Sequence, residues 1–273
     1  MVDLHVHTRA SDGGRTPEQV VILAREAGLH ALAITDHDTT DGLPPAQEAA
    51  GHLDLRLVPG IELSTLWDEH EVHILGYFID PFNPELREVL SSRQEGRCRR
   101  GRRILEKLAA LGMPLKWEEV LARAGDAASI GRPHIAEVMI DKGYVSSVDE
   151  AFVRFLGTGA PAYVPRTKFS PQEAIDLVLA AGGVPVLAHP GLIKDPALLE
   201  QLLQDGKLKG LEVYYPGHDE ETTRELAELC RRQGLIATGG SDFHGLPGDD
   251  RAPLGTCAVS DVIVAALQQA AAG

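Results

Sequence analysis

Residues 1–14 read MVDLHVHTRASDGG. Side chains alternate between the two faces of a β-strand. If VDLHV is a strand, Asp3, His5 and His7 share one face, while Val2, Leu4 and Val6 share the other. A strand that buries an apolar face and turns two imidazoles the other way points to metal chemistry. Asp12 follows five residues after His7. Two hydrogen-bonded histidines beside a turn would account for this stretch alone, so its neighbours decide.

Residues 1–80 alternate strands with helices. TPEQVVILAREAG carries Thr16 as N-cap, Pro17 at the first helical position and Gly28 as the stop. HALAITDHD is a short apolar strand entering a polar loop, a helix follows over Leu43–Ala50, and LRLVPGIELS and EVHILGYFI are strands. Short β-branched runs between amphipathic helices predict a parallel sheet. After Pro81 the chain reads as helix after helix to Phe155, including one long helix, SSRQEGRCRRGRRILEKLAALG, stopped at Gly112. Alternation resumes with SPQEAIDLVLAAGGVPVLAHPG and closes on a C-terminal helix. The expected architecture is α/β, with residues 1–80 and 160–273 forming the sheet domain and residues 81–159 a helical insertion.

The chain has 273 residues, 44% of them hydrophobic, and a net charge of −14. This suits a globular protein and argues against broad binding of duplex DNA, which rests on neutralising phosphates. Cys98, Cys230 and Cys257 form no CxxC pair, which fits a reducing compartment. No apolar run approaches the roughly 20 residues of a membrane helix, and no signal peptide opens the chain. A cytoplasmic location without a membrane partner is the expectation.

Imidazoles and carboxylates gather at one end of the expected strands: His5, His7, His37, Glu62, His73, His189, Asp242 and His244, with Asp12 in the first loop. In α/β barrels the active site is built at the C-terminal ends of strands, and six of the eleven histidines fall there. Each has an ordinary explanation: TDHDTTDG as a capped turn, Glu62 as an acid with one cationic partner, His73 as a hydrogen-bonded core histidine. Those explanations do not account for recurrence at successive strand ends. The whole set exceeds the about four to six ligands of one divalent ion. It suffices for two or three ions if a carboxylate bridges.

DLHVHTRASDG, ITDHDT, PGIELS, VHILGY, AHPG and GSDFHG, in that order, resemble the motifs of the polymerase and histidinol phosphatase (PHP) phosphoesterases. The resemblance implies a distorted (β/α)7 barrel holding three divalent metal ions, Mn2+ foremost, with Zn2+ or Fe2+ as alternatives. It implies His5, His7, Glu62 and Asp242 on one ion, and Asp12, His37 and His244 on a second. Glu62, bridging, joins His73 and His189 on a third. His37, Glu62 and Asp242 are the members assigned to catalysis. The implied reaction is in-line attack on a phosphoester by a metal-bridging hydroxide. His218 in YYPGHDEE is a candidate proton donor to the leaving group, and Tyr214 or Tyr215 a candidate stacking residue.

RQEGRCRRGRR places six arginines, Arg93, Arg97, Arg99, Arg100, Arg102 and Arg103, within eleven residues of an acidic chain. At about 100° per residue they cannot share one helix face, so some turn to solvent and some to the barrel mouth. SIGRPHIAE adds Arg132 and His134 at a helix start, where backbone N–H groups and a guanidinium favour an anion. The insertion and its GRPH stretch resemble one PHP branch, which removes phosphate from nucleoside 3′,5′-bisphosphates and trims short RNA from its 5′ end. The implied substrate contacts are Arg100, Arg102, Gly131, Arg132 and His134, and the implied partner is a small phosphorylated nucleotide or an RNA 5′ end. The alternatives are a phosphatase of another small monoester such as histidinol phosphate, a metal-dependent amidohydrolase, and a non-catalytic accessory module of a polymerase. The arginines favour phosphate over amide, and a doubly phosphorylated ligand over a monoester.

Overall fold

The computed structural model describes residues 1–68, 70–125, 127, 129–193, 196–246 and 252–272. The first half of the sheet is built by β1 (Val2–Asp3), α1 (Pro17–Glu26), β2 (Ala31–Ile34), α2 (Leu43–Leu53), β3 (Arg56–Trp67) and β4 (His70–Tyr77). Helices α3 (Pro84–Ala110), α4 (Trp117–Ala124), α5 (Arg132–Asp141) and α6 (Val148–Ala151) follow. The second half comprises α7 (Pro171–Ala180), β5 (Val184–Leu187), α8 (Pro196–Gln204), β6 (Gly210–Tyr214), α9 (Glu220–Gln233), β7 (Ile236–Gly239) and α10 (Asp261–Ala271). Thr16 caps α1 in a reciprocal capping box with Gln19, and Gly28 ends it at φ +77°, where a side chain would be strained.

The seven strands form one sheet in sequence order. It curls until its edges meet: the Leu4 N–H donates to the Gly239 carbonyl (3.3 Å), the His7 N–H to that of Phe243 (2.9 Å), and Val6 pairs with Phe243 in parallel. The fold is thus the expected (β/α)7 barrel, with two corrections. The sheet is not all parallel: β4 runs antiparallel to both β3 and β5. Only two residues separate β3 from β4, whereas a parallel crossover needs about a dozen, so a hairpin is the one connection available. The second correction concerns the opening strand, which is regular only over Val2–Asp3. Beyond it the Val6 N–H is taken by the Thr35 hydroxyl (3.0 Å) and the His5 N–H by Asp3 Oδ1 (3.3 Å), while the Leu4 and His7 amides turn to the β7 side.

One apolar cluster packs the strands against α1, α2 and α7, and a second joins them to Val264 and Leu267 of α10. A third is confined to the helical stretch, with Ile104 and Leu108 of α3, Trp117 and Val120 of α4, and Ile135 and Met139 of α5. Here Gly101 lets α4 approach: a Cβ at that position would lie 2.7 Å from the Trp117 ring. Among the described residues no helix is long and apolar enough to cross a membrane.

Candidate metal centre

All nine strand-end residues meet at one mouth of the barrel. His5 and His7 leave β1, and Asp12 returns from the next loop. His37 sits in a turn after β2 that still pairs with β3 at Glu62. His189, at φ +30°, follows β5; Asp242, at φ +52°, and His244 follow β7. His73 lies in the first half of β4. Because β4 is reversed, its beginning is at the same mouth as the ends of its parallel neighbours.

Glu62 is at the centre and is buried. Its Oε2 lies 3.3 Å from His5 Nε2, 3.2 Å from His7 Nε2 and 3.0 Å from His37 Nδ1. Its Oε1 lies 2.7 Å from His73 Nδ1 and 3.3 Å from His189 Nε2. Asp242 Oδ1 is 3.4 Å from His5 Nε2 and 3.1 Å from His7 Nε2. Asp12 is 3.4 Å from His244 Nε2 and 3.7 Å from His7 Nδ1. Three groups bring ligand atoms within 4.8 Å of one another: His7, Asp12, His37 and His244; His5, His7 and Asp242; and His37, Glu62 and His73. His7 and His37 each fall in two groups, whereas the resemblance gives each of them one ion.

The donor set fits divalent ions. Five imidazole nitrogens converge on one buried carboxylate, and the Nε2 atoms of His5 and His7 face each other at 3.1 Å. Lone pairs so arranged require a proton or a metal between them. His7 Nδ1 and His73 Nε2 are buried without a hydrogen-bond partner, which is costly unless something polar meets them. Burial opposes ionisation of Glu62, yet His37, His5 and His73 hold it well below the carboxylate range. Burial opposes the charged form of His7, but hydrogen bonding to Asp242 and Glu62 pushes it up to about 10. The site thus draws positive charge to its carboxylates. Burial lowers the His37 pKa.

A supporting layer went unread in the sequence. Glu212 on β6 is buried; its Oε1 accepts from His5 Nδ1 (2.9 Å) and its Oε2 from the His189 N–H (2.8 Å). An acid inside the apolar run GLEVY was its signal, the same one that marked Glu62. Asp36 accepts from Thr8 and Ser11, fixing the loop that carries Asp12. Asp3 accepts from Ser241 and Gly255 instead of joining the ligand face. Carboxylates behind metal-binding imidazoles set ring orientation and basicity. Glu212→Gln leaves one acceptor oxygen where two N–H groups need one each. It is expected to weaken divalent-ion affinity about 10- to 100-fold, read by titration calorimetry; unchanged affinity would mean that Glu212 does not orient His5.

The arginine run sorts by helix phase. Arg93, Arg97 and Arg100, spaced i, i+4 and i+7, face inward; Arg99, Arg102 and Arg103 are exposed. A cavity of about 190 Å³ joins Glu62, His73 and Asp242 to Arg97, Arg100, Gly131, Arg132 and Arg166. Arg166, which no sequence pattern marked, is partly buried beside Glu71 of β4, whose carboxylate also accepts from Arg132 (2.7 Å). Burial, with Arg166 and Arg132 alongside, lowers the Arg100 pKa, and the guanidinium still stays charged at neutral pH. Arg102 is not at this cavity: its guanidinium stacks on Trp117 at 4.8 Å, because two residues past Arg100 the helix has turned away. His134 is buried and caps its own helix, Nδ1 accepting the Gly131 N–H at 3.0 Å. The proton-donor expectation for His218 is not met. Its Nε2 accepts the Gly191 N–H and its Nδ1 bonds the Val213 carbonyl, so neither nitrogen is free. Tyr215 is the tyrosine at the site, donating its hydroxyl to Asp242 Oδ2 (3.1 Å) with its ring 5.3 Å from that of His189.

A barrel mouth that clusters imidazoles and carboxylates next to guanidinium groups defines a metal-dependent hydrolase of phosphoesters. The PHP domain pattern matches residues 3–120. The chain is 39% identical to the 5'-3' exoribonuclease Rnm of Salmonella typhimurium, over 89% of this chain and 84% of that one. It is 36% identical to the 3',5'-nucleoside bisphosphate phosphatase of Chromobacterium violaceum, over 91% and 88% respectively. A solved structure from Bifidobacterium adolescentis, a candidate metal-dependent phosphoesterase, superposes with a TM-score of 0.89 at 34% identity, covering 98% of this chain and 95% of that one. The chain belongs to the PHP family.

Proposed function

We propose that the protein removes phosphate from nucleoside 3′,5′-bisphosphates and shortens RNA from its 5′ end, using three divalent ions, Mn2+ foremost. The carrying observation is the union of two unlike sites in one cavity: an imidazole and carboxylate cluster around Glu62, and opposite it the guanidinium groups of Arg97, Arg100, Arg132 and Arg166. A monoester needs only the first. The names of the two relatives above describe these two reactions.

Divalent ions at such a centre lower the pKa of a coordinated water and neutralise phosphoryl charge. His5, His7, Asp12, His37, Glu62, His73, His189, Asp242 and His244 would hold them. Tyr215 fixes the Asp242 carboxylate through its hydroxyl. Arg100, Arg132 and Arg166 bind the second phosphate, with Glu71 orienting the latter two. Gly131 supplies close backbone approach at the same wall. We take residues 81–159 as an insertion over the active site, since α3 and the start of α5 line the cavity.

The test is phosphate release by the Mn2+-loaded protein from adenosine 3′,5′-bisphosphate and from AMP. A preference of at least about 100-fold in kcat/KM is expected, roughly 2.7 kcal/mol. Equal release would return the protein to the simple phosphomonoesterases.

A further inference from the structure

A second cavity, of about 410 Å³, lies between α3 and the segment 166–169 that leads into α7. It shares Arg97, Arg100 and Arg166 with the metal-side cavity, so one guanidinium wall separates the two. Arg100 Nη2 and Arg166 Nε and Nη1 are buried in that wall with no hydrogen-bond partner. Guanidinium nitrogens left unpaired out of water are costly unless an acceptor meets them. Six cationic residues line the cavity against three carboxylates, a reversal in a chain of net charge −14. Asp38 is already paired with Arg93 and Arg97, and Glu173 with the start of α7. Arg99 and Lys168 stand exposed at the rim. The apolar part of the lining is Val89 and Phe169, with the Arg93 guanidinium lying over the Phe169 ring at 4.2 Å. A free phosphate would use only the cationic side; a nucleotide has both a phosphate and a flat apolar base.

We propose that this cavity binds the nucleotide adjoining the one at the metal centre, so that an oligonucleotide spans both cavities across the shared arginines. This rests on the proposed function and adds where the rest of an RNA strand goes. Arg99 and Lys168 meet its phosphate, and Val89 with the stacked Arg93 and Phe169 pair its base.

The experiment compares Arg99→Ala, Lys168→Ala and the double variant with wild type, all Mn2+-loaded. Two readouts are used: kcat/KM for adenosine 3′,5′-bisphosphate, and Kd for a 5′-phosphorylated pentanucleotide with phosphorothioate linkages, measured by anisotropy across a salt series. The double variant is expected to lose about tenfold or more in pentanucleotide affinity. Its log Kd against log salt should flatten by about 0.7 per lost phosphate contact, with bisphosphate turnover unchanged. Unchanged pentanucleotide affinity would overturn the subsite, and so would parallel losses on both ligands, which would make the cavity part of the first nucleotide's site. Absence of bisphosphate turnover by wild type, with the selective loss of pentanucleotide affinity intact, would overturn the proposed function and leave the subsite standing.

Discussion

Glu62→Ala is expected to lower kcat/KM for phosphate release by at least roughly 10³-fold, about 4 kcal/mol of barrier. The bound metal should fall by more than one equivalent. Among the described residues no other carboxylate is approached by five imidazoles, three on one oxygen and two on the other. On the proposed reading its removal would take one ligand from two neighbouring positions at once. It also leaves those imidazoles facing each other with no anion among them. Glu62→Gln keeps the shape but offers one acceptor oxygen, and should fall close to the alanine variant. Mass spectrometry of the metal content, paired with phosphate release, checks this. Near wild-type turnover with full metal content would remove Glu62 from its bridging role.

The second large effect is on stability. Asp38 is buried at φ +52°. Its Oδ1 accepts from Arg93 Nε (3.0 Å) and the Ser64 N–H (3.1 Å), and its Oδ2 from Arg97 Nε (2.9 Å). The residue after a metal-site histidine therefore pins α3 to β3. Asp38→Ala strands two guanidinium groups in a buried site, for which the cost is about 3–5 kcal/mol. The expected fall in Tm is roughly 6–20 °C. Burial opposes ionisation of Asp38, but Arg97 and Arg93 hold its pKa well below the usual range. Its contribution is therefore complete above the unfolded value of about 4. It is lost only as pH falls toward the depressed folded value. Wild type and variant should differ fully at pH 7 and converge in strong acid. A Tm within a degree of wild type at pH 7 would show that α3 is held by other contacts.

Much of this was legible in the sequence, for physical reasons. Ligand residues must sit where strands end, so the motifs marked both the strands and the mouth. Thr16, Pro17 and Gly28 carry conformational preferences strong enough to fix α1 unaided. The reversal of β4 was missed because strand composition is blind to direction; the two-residue gap after Trp67 held that information. Arg102 was assigned by resemblance, whereas the spacing of Arg93, Arg97 and Arg100 identifies the inward face. Arg166 and Glu71 left no local trace. They meet across 95 positions of sequence, and only tertiary structure pairs them.

The reversed strand has one more consequence. Since β4 ends at the barrel floor, α3 starts there, its cap residue Asn83 donating to the carbonyl of Ala180 at the close of α7 (3.0 Å). From that footing the helix climbs roughly 20 Å before Arg97 draws level with the metal site, at 1.5 Å per residue. Helix α3 is thereby a ruler with a pointer. The number of residues below Arg93 sets the height of the arginines, and the same number sets their compass bearing. One residue inserted there would lift them by about 1.5 Å and swing them by about 100°, turning an inward-facing guanidinium cluster into a solvent-facing stripe.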